Sequence, residues 1–331
     1  MRDAFFAELL PLFKRDHRVV FLTGDLGYKL FDQLTEYDPS RVINCGIREA
    51  GMVGYAAGLA KTGLLPFVYS IAPFATLRCL EQIKIDLCYN RANVVVVGVG
   101  GGYAYGPNGS THHGVDDIGV LSCLPRLTVW TPSDSHEVRL CVRAAAALDS
   151  PAYLRLGRNK EPQVFSTLQT TPDVSKPALV REGSDGVLVT CGFILHEVLK
   201  AVDILNQAGI HPSVVRVTTL RPFPEEYIRN LCADGKPILT VEEHVATGGL
   251  GQETARIIAE AGNGNRFRML AIPMTFPDAC YDRDSLLARA GLDAGGISTS
   301  FHQLWSAACA RQLAPGEKGS AVVGNSLPSE L

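Results

Sequence analysis

Short continuous apolar runs alternate with amphipathic stretches along most of the chain. The first stretch, Met1–Arg15, places Phe5, Leu9, Leu12 and Phe13 near one face and predicts a helix. Arg18–Leu22 predicts a buried strand, closed by the loop Thr23–Gly27. A strand at Val42–Asn44, a helix from about Arg48 to Lys61, a strand at Leu65–Tyr69 and a helix at Phe74–Asn90 follow. Asn93–Val99 is an unbroken, mostly β-branched run of the kind found in central parallel strands, which are buried on both faces. After the loop Gly100–Gly114, the pattern predicts a strand at Leu127–Trp130, a helix from Asp134 to Ala147 and a strand at Ala152–Leu156, with Arg158 just beyond. Strand–helix alternation at this spacing is that of a doubly wound parallel sheet.

Glu161–Lys176, with Pro162, Pro172 and scattered Ser and Thr, reads as a linker into a second unit of the same kind. That unit has strands at Gly186–Cys191, Ser213–Val217, Pro237–Glu242 and Arg268–Ile272. Its helices fall at Ile194–Ala208, Pro224–Cys232, Gly251 to about Ala261, Ser285–Ala290 and Gly296–Ala310. Glu242, Glu243 and His244 lie at a strand end and read as interface or structural residues. The expected fold class is α/β with two doubly wound domains, residues 1–160 and 183–312, joined by a linker at 161–182. The Gly/Ser/Pro-rich tail, 313–331, lacks periodicity and is expected to be disordered.

Composition narrows the class. With 331 residues, 46% of them hydrophobic, and a formal net charge of −3, the chain has the core of a globular protein and no basic footprint for nucleic acid or an anionic membrane. The nine cysteines form no C-x-x-C pair and mostly sit in apolar segments, so they read as buried free thiols of a reducing compartment. No apolar run approaches the ~20 residues of a membrane span. A soluble cytoplasmic protein is expected.

Candidate chemistry is concentrated in two places. In Arg41–Gly63, a short strand meets Gly46, and a helix then opens with Arg48-Glu49 and continues through small residues. Ala50, Gly54, Ala57 and Gly58 follow the 3–4 spacing of one face. Glycines inside a helix cost roughly 1 kcal/mol each relative to Ala, so a face this smooth is expected where another backbone or a ligand comes close. Glu49 lies in the first turn, where it either complements the helix dipole or faces a ligand at the strand ends. The second place is the glycine loop, which carries Tyr103, Tyr105, Asn108, His112 and His113. His112 suits substrate recognition or proton transfer, because imidazole titrates near neutrality, and His113 suits packing. A metal held with Asp116 and Asp117 fits poorly, since adjacent histidines are hard to aim at one ion. Neither Gly98–Gly102 nor Gly248–Gly251 has the context of a dinucleotide fingerprint, and neither a P-loop nor a G-x-S-x-G elbow is present.

Taken together, the motifs resemble a known family. TGDLG at Thr23–Gly27, NCGIREAGMVGYAAGLA at Asn44–Ala60 and PFVYSIAPFATLRCLEQIKID at Pro66–Asp86 are similar to the C-terminal half of transketolase and 1-deoxyxylulose-5-phosphate synthase. So are GPNGSTHHGVDDIGVLSCLPRLTVWTPSD at Gly106–Asp134, YLRLGR at Tyr153–Arg158 and VEEHVATGGLG at Val241–Gly251. The resemblance runs from about Arg2 to Gln303 and implies a thiamine-diphosphate pyrimidine-binding domain followed by a transketolase C-terminal domain. The G-D-G motif of the family's pyrophosphate domain is absent, so the resemblance is to the second subunit of a split enzyme. A partner chain with G-D-G is then expected to supply the diphosphate and Mg²⁺ site, in an α2β2 heterotetramer. The smooth helix after Glu49 would pack across a subunit interface.

The resemblance also implies roles. Glu49 matches the glutamate that bonds pyrimidine N1′, Phe74 matches the aromatic that stacks on that ring, and Ile71 stands where the family has a second aromatic. His112 matches the histidine that contacts substrate oxygens and the reacting hydroxyl. Arg158, and more loosely Arg2, match arginines that bind the sugar-phosphate end. Two positions depart from the pattern: Gly100 replaces a histidine and Asn108 an aspartate, both of which read donor hydroxyls. Tyr103 or Tyr105 would fill the gap at Gly100. A substrate other than the standard pentose-phosphate pair is therefore expected, with transfer of a two-carbon ketol or related acyl unit from a 2-oxo donor to an aldehyde or ketose. The rival readings are the β subunit of a 2-oxo acid dehydrogenase and a non-catalytic regulatory subunit.

Overall fold

The computed structural model describes residues 1–158, 161–165 and 173–313. The tail beyond Leu313 and residues 166–172 of the expected linker lie outside the described residues.

Among the described residues, twelve strands form two sheets. In chain order the first six are β1 (Val19–Thr23), β2 (Val42–Asn44), β3 (Leu65–Ile71), β4 (Val95–Val99), β5 (Thr128–Trp130) and β6 (Ala152–Leu156). The others are β7 (Ala178–Arg181), β8 (Val187–Thr190), β9 (Ser213–Arg216), β10 (Thr219–Arg221), β11 (Ile238–Val245) and β12 (Phe267–Ile272). The first sheet runs β10-β5-β6-β4-β3-β1-β2 and the second β12-β11-β8-β9-β7. Pairs β1–β2, β1–β3, β3–β4, β4–β6 and β5–β6 are parallel. The valines of β4 divide between two faces, Val96 joining one core with Met52, Val53 and Val68, and Val95 and Val97 joining another with Phe5, Leu9 and Phe67. Helix Arg2–Arg15 covers the second face and helix Glu49–Lys61 the first. Burial on both faces explains why these strands read as continuous apolar runs.

The structure departs from the sequence expectation in several places. Phe74–Asn90 is not one helix: it divides into Ala72–Ala75, two short turns, and a wide π-helical segment at Ile83–Tyr89. Thr76 sits at the break and donates its Oγ1 to Ala72 O at 2.7 Å, a side-chain bond that competes with the helical ladder. The expected linker 161–182 contains β7, which pairs antiparallel with β9. Thr219–Arg221, outside every predicted element, forms β10, an antiparallel edge on β5, so the second half of the chain completes the first sheet. β11 runs three residues past Glu242 to Val245, which places Glu242, Glu243 and His244 within a strand. Short helices at Asp32–Tyr37 and Asp117–Ser122 occupy stretches in which the pattern predicts no element. Among the described residues, no helix is long and apolar enough to cross a membrane.

Candidate functional site

The carboxyl ends of the parallel strands gather the loops that carry chemistry, as expected for an open α/β sheet. Thr23–Gly27 follows β1, Gly46 follows β2, Ala72–Ala75 follows β3, Gly100–Gly114 follows β4 and Arg158 follows β6.

Glu49 opens the helix Glu49–Lys61 and is 1% exposed. Its position in the first turn suits the dipole, but the carboxylate also has specific donors. Ser70 Oγ, at the end of β3, donates to Oε1 at 3.0 Å, and Arg78 Nη1 donates to Oε2 at 2.5 Å. Gly24 lies alongside: a Cβ there would stand 3.4 Å from Glu49 Oε1. Arg78 lies over the ring of Phe74, its guanidinium carbon 4.2 Å from the ring centroid.

From Phe74 the site continues without a break. The His112 ring meets Phe74 edge-on at 5.1 Å, the Tyr105 ring lies 6.1 Å from His112, and the Arg158 guanidinium stacks on Tyr105 at 4.3 Å. Burial pushes the Tyr105 hydroxyl up, and the charges of Arg158 and Arg2 oppose that shift, which places both arginines in its field. Arg2 Nε is buried without a hydrogen-bond partner among the described residues. A carboxylate, an aromatic face, an imidazole, a phenol and three guanidinium groups thus share one edge of the sheet.

The remaining candidates divide. Gly100 has φ +83°, and a Cβ would fall 2.1 Å from two ring carbons of Tyr105, so the Tyr105 ring fills the space beside it. Tyr103 turns away and packs in the core of the second sheet, with its ring 5.1 Å from His113. Ile71 ends β3 half-buried, and Asn108 is exposed on the loop. His112 Nδ1 shares a 2.9 Å bond with Thr111 Oγ1. His113 is buried against Gly106 O at 3.2 Å, and burial pushes its pKa down. Asp117 is committed elsewhere, accepting from Tyr153 Oη at 2.5 Å and Arg155 Nε at 2.8 Å. Among the described residues, no group of three or more His, Cys, Asp or Glu is arranged to hold a metal ion. The face that includes Gly51 and Gly58 is open, with nothing within 4 Å of a Cβ at either, and Tyr55 beside it is 53% exposed. A recess of about 810 Å³ lies at the amino ends of β4–β6 among Arg91, Arg126 and Asp149, at the other edge of the sheet.

Sequence reasoning missed Ser70 and Arg78, and it reads Glu243 as an interface or structural residue. Arg78 carried the best signal, a cation one helical turn after the aromatic Phe74.

Residues 1–163 match the family profile described as "Transketolase, pyrimidine binding domain", and residues 175–297 match "Transketolase, C-terminal domain". The chain is 35% identical over 260 residues to a subunit of apulose-4-phosphate transketolase from Actinobacillus succinogenes, covering 78% of this chain and 83% of that one. It is 33% identical over 261 residues to the 6-deoxy-6-sulfo-D-fructose transketolase subunit of a Clostridium species, covering 78% and 81%. Among solved structures, a split-gene transketolase in an inactive β4 tetramer superposes with a TM-score of 0.82 at 28% identity, covering 92% of this chain and 98% of that one.

Proposed function

The chain belongs to the transketolase family, and we propose that it is the pyrimidine-side subunit of a split, thiamine-diphosphate-dependent transketolase-like enzyme. The observation that carries this reading is a buried carboxylate, Glu49, joined through Arg78 to the ring of Phe74 at the strand ends. A flat heteroaromatic ring with a nitrogen that can bond a carboxyl group suits these residues, so they fit an aminopyrimidine. Thiamine diphosphate, when bound, supplies the carbanion chemistry.

Glu49 would hydrogen-bond the pyrimidine N1′, while Phe74 and Ile71 line the ring. Ser70 fixes the rotamer of Glu49 by bonding Oε1, and Arg78 does so through Oε2. Each carboxylate oxygen keeps lone-pair capacity for one more donor. A partner chain with G-D-G would hold the diphosphate and Mg²⁺, and the open glycine face beside Tyr55 offers a surface for contact with it in an α2β2 assembly. His112 would bond the reacting hydroxyl, with Asn108 at the loop's exposed rim.

The substrate we propose is a modified ketose ending in a phosphate or sulfonate, in a cytoplasmic carbohydrate pathway. Arg158, stacked on Tyr105 and joined by Arg2, supplies planar cations for such an anion. The relatives are named for apulose-4-phosphate and for 6-deoxy-6-sulfo-D-fructose, one a phosphorylated and the other a sulfo sugar. Gly100 and Asn108, which replace a family histidine and aspartate, point the same way. The test is co-purification with a partner chain carrying G-D-G, followed by assay against phosphorylated and sulfonated ketose donors. Thiamine-dependent ketol transfer is expected. Reduction of a lipoyl domain instead would support the 2-oxo acid dehydrogenase reading, and absence of any thiamine-dependent turnover would support a non-catalytic role.

A further inference from the structure

We propose that Glu243, a residue of the second sheet, is a positioning residue for the Gly100–Gly114 loop and acts through it on Tyr105 and His112; this rests on the proposed ketol-transfer function. Glu243 lies in β11 and is 2% exposed. Its Oε1 accepts from the backbone N–H of Tyr103 at 2.8 Å, across 140 residues of chain. Arg283 grips the same carboxylate with both ends of its fork, Nε to Oε1 at 3.1 Å and Nη2 to Oε2 at 2.6 Å.

The far foot of the loop is tied to the same residue. Arg155 Nη2 donates to Glu243 O at 3.1 Å and to Gly114 O at 2.6 Å, while its Nε is anchored on Asp117. The two feet close on each other, Gly102 N donating to Gly114 O at 2.6 Å and Gly114 N to Gly102 O at 3.0 Å. Glycine is required at this junction: Gly102 has φ +61°, and a Cβ there would fall 2.5 Å from Glu243 Cγ. At mid-loop, a Cβ on Gly106 would fall 2.5 Å from Tyr281 O, so this turn also rests on the segment leading to Arg283.

A buried ion pair offsets its desolvation only when its remaining lone pairs are also bonded. Glu243 pairs with Arg283, and the further donor its carboxylate takes is a main-chain N–H two residues before Tyr105, so the need of the pair is met by the loop. The outcome is geometric. The loop leaves β4 at Gly100, is caught at Tyr103, and so presents Tyr105 beside Gly100 and His112 against Phe74.

The test compares Glu243→Ala, Glu243→Gln and Arg283→Met in the full chain. Hydrogen–deuterium exchange in the chain alone is expected to show amides of Tyr103–Gly114 exchanging about ten-fold faster in Glu243→Ala, with β4 and β8 unchanged. Glu243→Gln, which keeps an acceptor for Tyr103 N–H, is expected to lie between, and it decides the matter if Glu243→Ala fails to fold. Arg283→Met breaks the ion pair but leaves the Tyr103 bond, so the loop stays protected. In the reconstituted complex, Glu243→Ala raises KM for the ketose donor about ten-fold and leaves thiamine diphosphate affinity within about two-fold of wild type. Unchanged exchange in both Glu243 variants, or equal loosening by Arg283→Met, overturns the proposal. Loop loosening in a chain whose wild-type complex shows no ketol transfer would leave the proposal standing and remove the functional reading.

Discussion

Arg78 donates through Nη1 to Oε2 of Glu49 at 2.5 Å, an ion pair in which the carboxylate is 1% exposed and the guanidinium 43% exposed. Removing Arg78 leaves the carboxylate with Ser70 Oγ as its remaining side-chain donor. Half-exposure of the arginine weakens the pair below a fully buried one, so Arg78→Ala is expected to destabilise the chain by roughly 1–3 kcal/mol. Glu49→Gln removes the buried charge itself and is expected to cost less. Urea denaturation of both single variants and the double variant measures the coupling, expected at about 1–2 kcal/mol. Simple additivity would show that the pair contributes nothing to the fold.

Gly100 is a second sensitive point. Alanine there meets both a left-handed φ of +83° and the Tyr105 ring 2.1 Å from its Cβ. Backbone strain and overpacking together predict a loss of about 2–4 kcal/mol in Gly100→Ala. Removing the ring relieves the clash but not the φ strain, so Tyr105→Ala should make the same substitution milder. Thermal unfolding of the four chains tests this, and an equal loss in both backgrounds would contradict it.

His244 predicts an acid limb in stability. Burial pushes its imidazole down to about 4 from an ordinary 6.5, and the neutral ring accepts from Gly119 N at Nε2 (3.1 Å) while Nδ1 donates to Val245 O (2.6 Å). Below pH 6.5 the unfolded chain takes up a proton that the folded chain refuses until about pH 4. The contribution of this group is therefore complete above pH 6.5 and lost as pH falls towards 4, a change of about 3 kcal/mol. His244→Gln keeps an acceptor for Gly119 but does not titrate. Its stability should fall less steeply than wild type between pH 6.5 and 4; parallel curves would refute the assignment.

Arg158 should govern affinity for the anionic end of the substrate. Arg158→Ala is expected to raise KM for a phosphorylated or sulfonated donor by about 100-fold, with a smaller effect on kcat. Arg158→Lys should recover only part, because a point charge replaces a planar fork that also stacks on Tyr105. Equal KM values for charged and uncharged donors in the wild-type complex would remove Arg158 from this role.

What was legible in the sequence was local. Ala152–Leu156 was readable to the residue because a strand buried on both faces is mostly apolar, and its one charged residue, Arg155, is paired with Asp117. Glu49 and Phe74 stand in contiguous stretches whose residue pattern marks them as candidates. Ser70 and Arg78 do not, because they reach Glu49 from 21 and 29 residues away. β10 is three residues long and exists because β5 offers an edge, which no periodicity records. The break after Phe74 depends on one threonine side chain bonding backwards. Glu243 reads as one of three polar residues ending a strand, and its partner lies 140 residues earlier.

Whether Glu49 works on the cofactor is decided by turnover of the reconstituted Glu49→Gln complex at saturating thiamine diphosphate. Assembly is followed in parallel by size-exclusion chromatography and cofactor binding by calorimetry. Intact assembly, retained though weaker cofactor binding, and turnover reduced by roughly 10³-fold or more are expected. Near-normal turnover by the purified Glu49→Gln complex would contradict the role assigned to this carboxylate.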